Sequence, residues 1–300
     1  MKRLIPIITL LLIITSCREK MRIDMQQGAQ MVGISASITD QMQRQEVILS
    51  RTTPFYTDNL PEMISDATVF VLEGTVSLQS DTAWTDTIWF EESDNPGYYF
   101  STVDFAGSPE HVYHLSVDFA DQDGLQHFYS DTKMNPNVDQ IDSIRIKPWK
   151  YNSLEVDDYL GIYPYFQLLD EPKIYYMTRI EINGNDIGGD TLTKCDLFEP
   201  LGFAGMYVNS PLMISMIGET PIYGLNQKDS LQVVHQGDTV TMNMWSIPRD
   251  YAHYIAEIAS STGSNPMMGT PSNVRTNIRP EGKAVGMFHA SSKRSCSIIY

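Results

Sequence analysis

The chain has 300 residues, with 37 Asp and Glu against 21 Lys and Arg. That length buries one large core or two ordinary ones. A surface this acidic repels nucleic acid and anionic lipid, so it excludes nucleic-acid partners, and its acidity reads as solubility rather than as a dedicated cation site.

Lys2 and Arg3 precede an apolar run from Leu4 to Ile14. The run has the length of a signal-peptide core and falls short of the roughly 20 residues that span a bilayer. Ile14-Thr15-Ser16-Cys17 then resembles a bacterial lipobox, in which an aliphatic residue and two small ones precede the cysteine that takes diacylglyceryl. Residues 1–16 are expected to be a lipoprotein signal peptide and Cys17 the lipidation site, so that the mature protein meets the membrane through an N-terminal lipid anchor. Several acyl chains on one cysteine hold firmly, because each buried methylene contributes roughly 0.8 kcal/mol. Without residues 1–16 the chain keeps 284 residues and 19 bases against 37 acids, a formal charge of −18. Residues 17–30 are polar and aperiodic and read as a lipidated tether. Of the three cysteines, Cys195 and Cys296 remain as a candidate disulfide in an oxidising compartment or as two separately buried thiols.

From Met31 the pattern turns strand-like. "MVGISASITD", "QEVILSRT", "ATVFVLEG", "TAWTDTIWFEE" and "GYYFSTVDF" are short β-branched and aromatic runs bounded by turn formers. In "HVYHLSVDFADQDGLQHFYSDT", Tyr113, Leu115, Val117 and Phe119 fall on one face and Val112, His114, Ser116 and Asp118 on the other, and Asp123-Gly124 is a hairpin signal. Six or seven such strands predict an immunoglobulin-like antiparallel β-sandwich over residues 31–147. The polar stretch "KPWKYNSLEVDD" is the candidate boundary.

A second β-rich domain is expected over residues 155–300. "YLGIYPYFQLLDEP" and "KIYYMTRIEINGND" open it, with Asn183-Gly184 as a strong hairpin signal, and "DTVTMNMWSI" follows. One helix is predicted near 248–261: Pro248 suits a first helical turn, and Tyr251, Tyr254, Ile255 and Ile258 recur at helical spacing. Gly263 and Pro266 stop it. "KAVGMFHASS" and "RSCSIIY" read as two closing strands.

The order of these phrases resembles the Bacteroidota outer-membrane lipoprotein family catalogued as domain of unknown function 4249. "ISASITD", "VILSRTTPFY", "ISDATVFV", "GYYFSTVDFAG", "YFQLLDEP", "YYMTRIEING" and "DYAHYIAEIAS" carry the likeness, and "NVRTNIRPEGKAVGMFHASS" is its most specific part. Members commonly read Val-Glu-Gly near the first strand, whereas here Gly33 is followed by Ile34-Ser35-Ala36-Ser37. The resemblance implies an N-terminal sandwich like carboxypeptidase-regulatory-like domains, and a setting beside a TonB-dependent outer-membrane transporter as partner. It implies no established activity. Surface lipoproteins of this group carry an acid-rich run after the cysteine, and here Glu19 stands between Arg18 and Lys20. Whether the anchor sits on the cell surface or in the periplasmic leaflet is left open by that signal.

Catalytic motifs are sparse. His111 and His114 form the nearest thing to a metal pair, but an odd separation on a strand sends them to opposite faces. "DQDG" at 121–124 fails as a calcium loop, since aligning its glycine puts Ser130 at the position that requires an acid. Gly-x-Ser-x-Gly and the Gly-rich phosphate loops are absent, and His289 with Cys296 has the wrong strand separation for a nucleophile and its base. No cofactor and no metal are expected. Tyr163, Tyr165, Phe166, Tyr175 and Tyr176 could line a groove or simply pack in sheets, and Met267 and Met268 sit in a turn-rich loop that suits a protein contact or folds back on the core. The expectation from the sequence is a non-enzymatic, outer-membrane-anchored accessory or ligand-capture component of TonB-dependent transport; the alternative is a structural or adhesive envelope lipoprotein.

Overall fold

The computed structural model describes residues 30–53, 60–76, 82–122, 124–148, 159–170, 174–189, 191–209, 215–218, 233–262 and 274–300. The expected signal peptide, Cys17 and the tether up to residue 29 lie outside the described residues, as do residues 149–158 of the candidate boundary. Residues 30–53 and 58–300 cluster into one unit. The protein is mainly β, with one helix among the described residues.

Period-two alternation fixes the faces of the first sheet. β1 (Val32–Thr39) buries Val32, Ile34, Ala36 and Ile38 and turns Gly33, Ser35, Ser37 and Thr39 away from that core. β2 (Glu46–Arg51) buries Val47 and Leu49 in the same way. β3 (Thr68–Val76), β4 (Thr82–Glu92), β5 (Tyr98–Ser101), β6 (Val112–Asp121) and β7 (Gly124–Lys133) complete an antiparallel run in the order β1-β2-β5-β4-β3-β6-β7. Tyr113, Leu115, Val117 and Phe119 of β6 face the core, as their alternation predicts. The β6–β7 hairpin closes with Asp121 opposite Gly124, so Gly124 is already a ladder residue, and its φ of 103° suits the tight return.

The second half is built on β8 (Ser143–Pro148), β9 (Tyr159–Gln167), β10 (Tyr175–Ile182), β11 (Asn185–Asp186), β12 (Asp196–Phe198), β13 (Tyr207–Val208), β14 (Ser215–Gly218) and β15 (Thr239–Ile247). β9 pairs with β8 along one edge and with β14 and β13 along the other, forming a small separate sheet. Asn183-Gly184 makes the predicted turn, both residues at positive φ, between β10 and β11. The helix α1 spans Arg249–Thr262, one residue later than predicted, because Pro248 stands just before it and its carbonyl accepts the Ala252 N–H at 3.1 Å.

The two closing strands expected at the C-terminus are one. β16 (Ala284–Ile299) runs 16 residues without a break. Ala284 to Ser291 pair parallel with β1, and Ser292 to Ile299 pair antiparallel with β15. The polar Ser-Ser-Lys that looked like a break is the crossover between sheets. Ser291 and Ser292 are buried there, and the point is held by Asn137 Nδ2 donating to the Ser292 carbonyl at 2.7 Å and the Lys293 N–H donating to Asp40 at 2.8 Å. Buried polar groups so satisfied fix one arrangement.

Apolar side chains gather into three clusters. The first fills the sandwich and includes Ile278, Phe288 and Ala290 from the C-terminal end; the second lies among β8, β9, β10 and β15; the third packs under α1. Far edges of the first sheet meet through residues 277–279: Tyr129 of β7 and Arg279 exchange backbone hydrogen bonds at 3.0 and 2.8 Å. Asn277 bonds both backbone groups of Phe288 on β16 and accepts the Ser130 hydroxyl on its carbonyl. The phrase "NVRTNIRP" is therefore the seam that closes the sandwich.

Candidate functional site

A groove of about 420 Å³ opens on the outward face of β1, β2 and β16, beneath α1. Its floor is Gly33, Ser35, Ile48, Ser50, Val285 and Gly286; Tyr254, Ile258 and Ser261 of α1 form one wall, and Thr52 and Val274 border it. Glycine makes this floor possible. A Cβ on Gly33 would come 2.7 Å from Ser50 Oγ, and one on Gly286, at φ 102°, would come 2.0 Å from the Ile34 carbonyl oxygen. At Gly286 backbone approaches backbone as only glycine permits, whereas at Gly33 the near atom is the Ser50 hydroxyl.

Two contacts set the wall. Tyr251 stacks on His289 of β16 with ring centroids 3.6 Å apart, and Arg275 donates its backbone N–H and its Nε to the Glu257 carboxylate. Those bonds, the backbone one foremost, hold Glu257 below the usual carboxylate range. Burial pulls His289 down to about 3, so the ring is neutral, and it pushes the Tyr251 and Tyr254 phenols up, so they stay protonated. Its described lining residues thus present hydroxyls, aliphatic carbons and the Tyr254 ring, with no ionised side chain among them. Ser35 and Ser50 hydroxyls have no protein partner among the described residues. A volume in the range of small-molecule pockets with such a lining suits an uncharged, partly apolar ligand.

The residues singled out from sequence are dispersed. Cys195 and Cys296 are free thiols, not a disulfide: Cys195 packs in the third cluster, where burial pushes its thiol up to about 11, and Cys296 packs against the second. His111 binds Glu73 and His114 binds Asp131, each at 2.8 Å, so the two rings turn to different carboxylates. His127 takes Asp118, and His253 meets Tyr175 edge-on. Phe166 and Tyr176 are core residues of the second cluster, whereas Tyr163 and Tyr165 lie on the open face of β9. Met267 and Met268 lie outside the described residues. Sequence reasoning found Tyr254 and Ile258 through helical spacing but missed the groove floor, for which interior strand glycines at 33 and 286 were the available signal.

A family model described as domain of unknown function (DUF4249) matches residues 18–297, nearly the whole chain, and the protein belongs to that family. Comparison with curated proteins gives no match.

Proposed function

We propose that this family member is a lipid-anchored, non-enzymatic accessory or capture protein of TonB-dependent transport at the outer membrane, holding an uncharged ligand in the groove under α1. The groove carries the reading, because its described lining residues offer shape, hydroxyls and apolar surface, with no acid, base or thiol among them. Attachment through Cys17 rests on the lipobox, and the transporter setting is what the resemblance of the sequence phrases implies. A short tether would hold the body near a membrane channel at high effective concentration, so that a weak contact suffices.

Affinity purification from gently solubilised membranes, with the tag after Tyr300, tests the role. A TonB-dependent transporter is expected to co-purify, and filling the groove with Ser35→Trp is expected to lower ligand uptake by cells without disturbing that association. A protein that runs alone under conditions preserving other envelope complexes would overturn the transporter role.

A further inference from the structure

The outward face of the small β8–β9–β13 sheet is graded in chemistry. At one end, the turn after β12 exposes Leu201, Phe203 and Met206, at 67, 39 and 52 % of their surface, and Tyr207 at 45 %. This turn is fastened to the end of β9: Leu168 N–H donates to the Met206 carbonyl, Gly205 N–H donates to the Leu169 carbonyl, and Gln167 Nε2 donates to the Gly205 carbonyl. Its position is therefore fixed by the sheet.

Next along the face come tyrosines. Tyr207 pairs across from Gln167, and Tyr165 and Tyr163 follow on the same side of β9, while Ile162, Pro164 and Phe166 point inward. Farthest from the turn are two cations on β8. The Arg145 guanidinium lies 5.3 Å from the Tyr165 ring centroid, and Lys147 Nζ lies 5.1 Å from that of Tyr163. Three acidic groups lie near this face: Asp142 accepts the Tyr207 hydroxyl at 2.7 Å and Gln140 Nε2 at 2.9 Å, Glu199 before the turn is bonded to Tyr175, and Asp170 flanks Gly205.

Apolar tip, then aromatic row, then snorkelling cations is the order in which a bilayer presents hydrocarbon, headgroup boundary and water. A protein interface would instead centre its apolar residues and surround them with a polar rim. We infer that this face is a membrane-docking surface, by which the turn at Leu201, Phe203 and Met206 enters a bilayer interface. The charge of −18 on the mature chain sets the lipid class: two cations do not offset it, so the surface seats on zwitterionic headgroups, and anionic lipid weakens the contact. This surface is distinct from the groove and does not depend on acylation of Cys17.

Flotation of residues 18–300, which carry all three apolar clusters and no acylated cysteine, with phosphatidylcholine vesicles tests it. The protein is expected to float, the combined variant Leu201→Ser, Phe203→Ser, Met206→Ser to partition on the order of tenfold less, and Leu125→Ser, an exposed leucine on the β6–β7 hairpin, to match the parent. Far-ultraviolet circular dichroism and the melting temperature of the triple variant establish that it is folded. Failure of the parent to float, equal flotation of the triple variant, or binding confined to anionic vesicles would overturn the proposal. So would a triple variant that floats like the parent but loses a co-purifying membrane protein, which would make the face a protein interface.

Discussion

Asn277→Ala should open the seam of the sandwich. Asn277 Nδ2 donates to the Phe288 carbonyl at 2.7 Å, and its Oδ1 accepts the Phe288 N–H at 3.0 Å, so one side chain serves as a strand neighbour on the edge of β16 away from β1. Phe288 is 1 % exposed. Alanine leaves two backbone groups unpaired, each costing about 1–3 kcal/mol if water cannot reach it. Asn277 is itself half-buried, so some water enters, and a net loss of about 2–3 kcal/mol is expected. For a body of this size that lowers the melting temperature by roughly 4–12 °C. Urea denaturation of residues 18–300 measures it, with an unchanged slope indicating that only stability has moved. Two comparisons calibrate the result. Ser130→Ala removes only the bond to the Asn277 carbonyl and should cost about 1 kcal/mol. Asn277→Asp keeps an acceptor for the N–H but sets a carboxylate oxygen against the Phe288 carbonyl, so it should be no better than alanine. Asn277→Ala within about 0.5 kcal/mol of the parent, the range of ordinary surface changes, would show that the seam does not hold the sheet edges.

Gly286→Ala should be worse, about 3–5 kcal/mol, because its Cβ would lie 2.0 Å from the Ile34 oxygen at a φ of 102°; a urea midpoint close to the parent's would refute the close approach of β16 to β1. His289 gives a pH signature. Its folded pKa lies at about 3, below the ordinary 6.5, so the unfolded chain binds a proton that the folded chain does not, and stability falls as pH drops from about 6.5 toward 3. The slope from this group is at most about 1.4 kcal/mol per pH unit, and His289→Phe, which can keep the stack on Tyr251, should remove it; parallel stability curves for parent and variant between pH 7 and 4 would sink the argument. Cys17→Ser should abolish incorporation of labelled palmitate and move the protein from the membrane to the soluble fraction, and labelling that persists would place the acyl chain elsewhere.

Features whose physics is local were readable in the sequence. The alternation of Tyr113, Leu115, Val117 and Phe119, the Asn183-Gly184 turn and the helix with Tyr251 and Ile255 inside each depend on neighbours a few residues away. β16 was misread because Ser291-Ser292-Lys293 has the composition of a break, and only partners far off in sequence, Asn137 and Asp40, make it a buried crossover. The groove draws its residues from five separate stretches, 33–35, 48–52, 254–261, 274 and 285–286, and glycine and serine make up much of its floor. No spacing rule joins such stretches. The membrane-facing turn was invisible for a related reason: Leu201, Phe203 and Met206 look like ordinary core residues until the fold leaves them outside.

The sharing of β16 ties the parts together mechanically. Its first half supplies Val285 and Gly286 to the groove floor, and its second half pairs with β15, whose Val240, Met242 and Met244 lie in the second cluster together with Ile162 and Phe166 of β9. A hinge between the two sheets would have to break the crossover at Ser292, where Asn137, Asp40 and Arg294 are bonded to one another's segments. Docking of the β8–β9–β13 face would therefore set the attitude of the groove as well. A tether anchored at Cys17 would not do this alone, since the fourteen residues from Cys17 to Gln30 reach at most about 50 Å and constrain distance but not orientation. Where the tether joins the body, Met31 exchanges hydrogen bonds with Thr52, a residue at the groove's border. An anchor at Cys17 would then only bound how far the groove stands from the membrane, and the apolar turn would decide which way it faces.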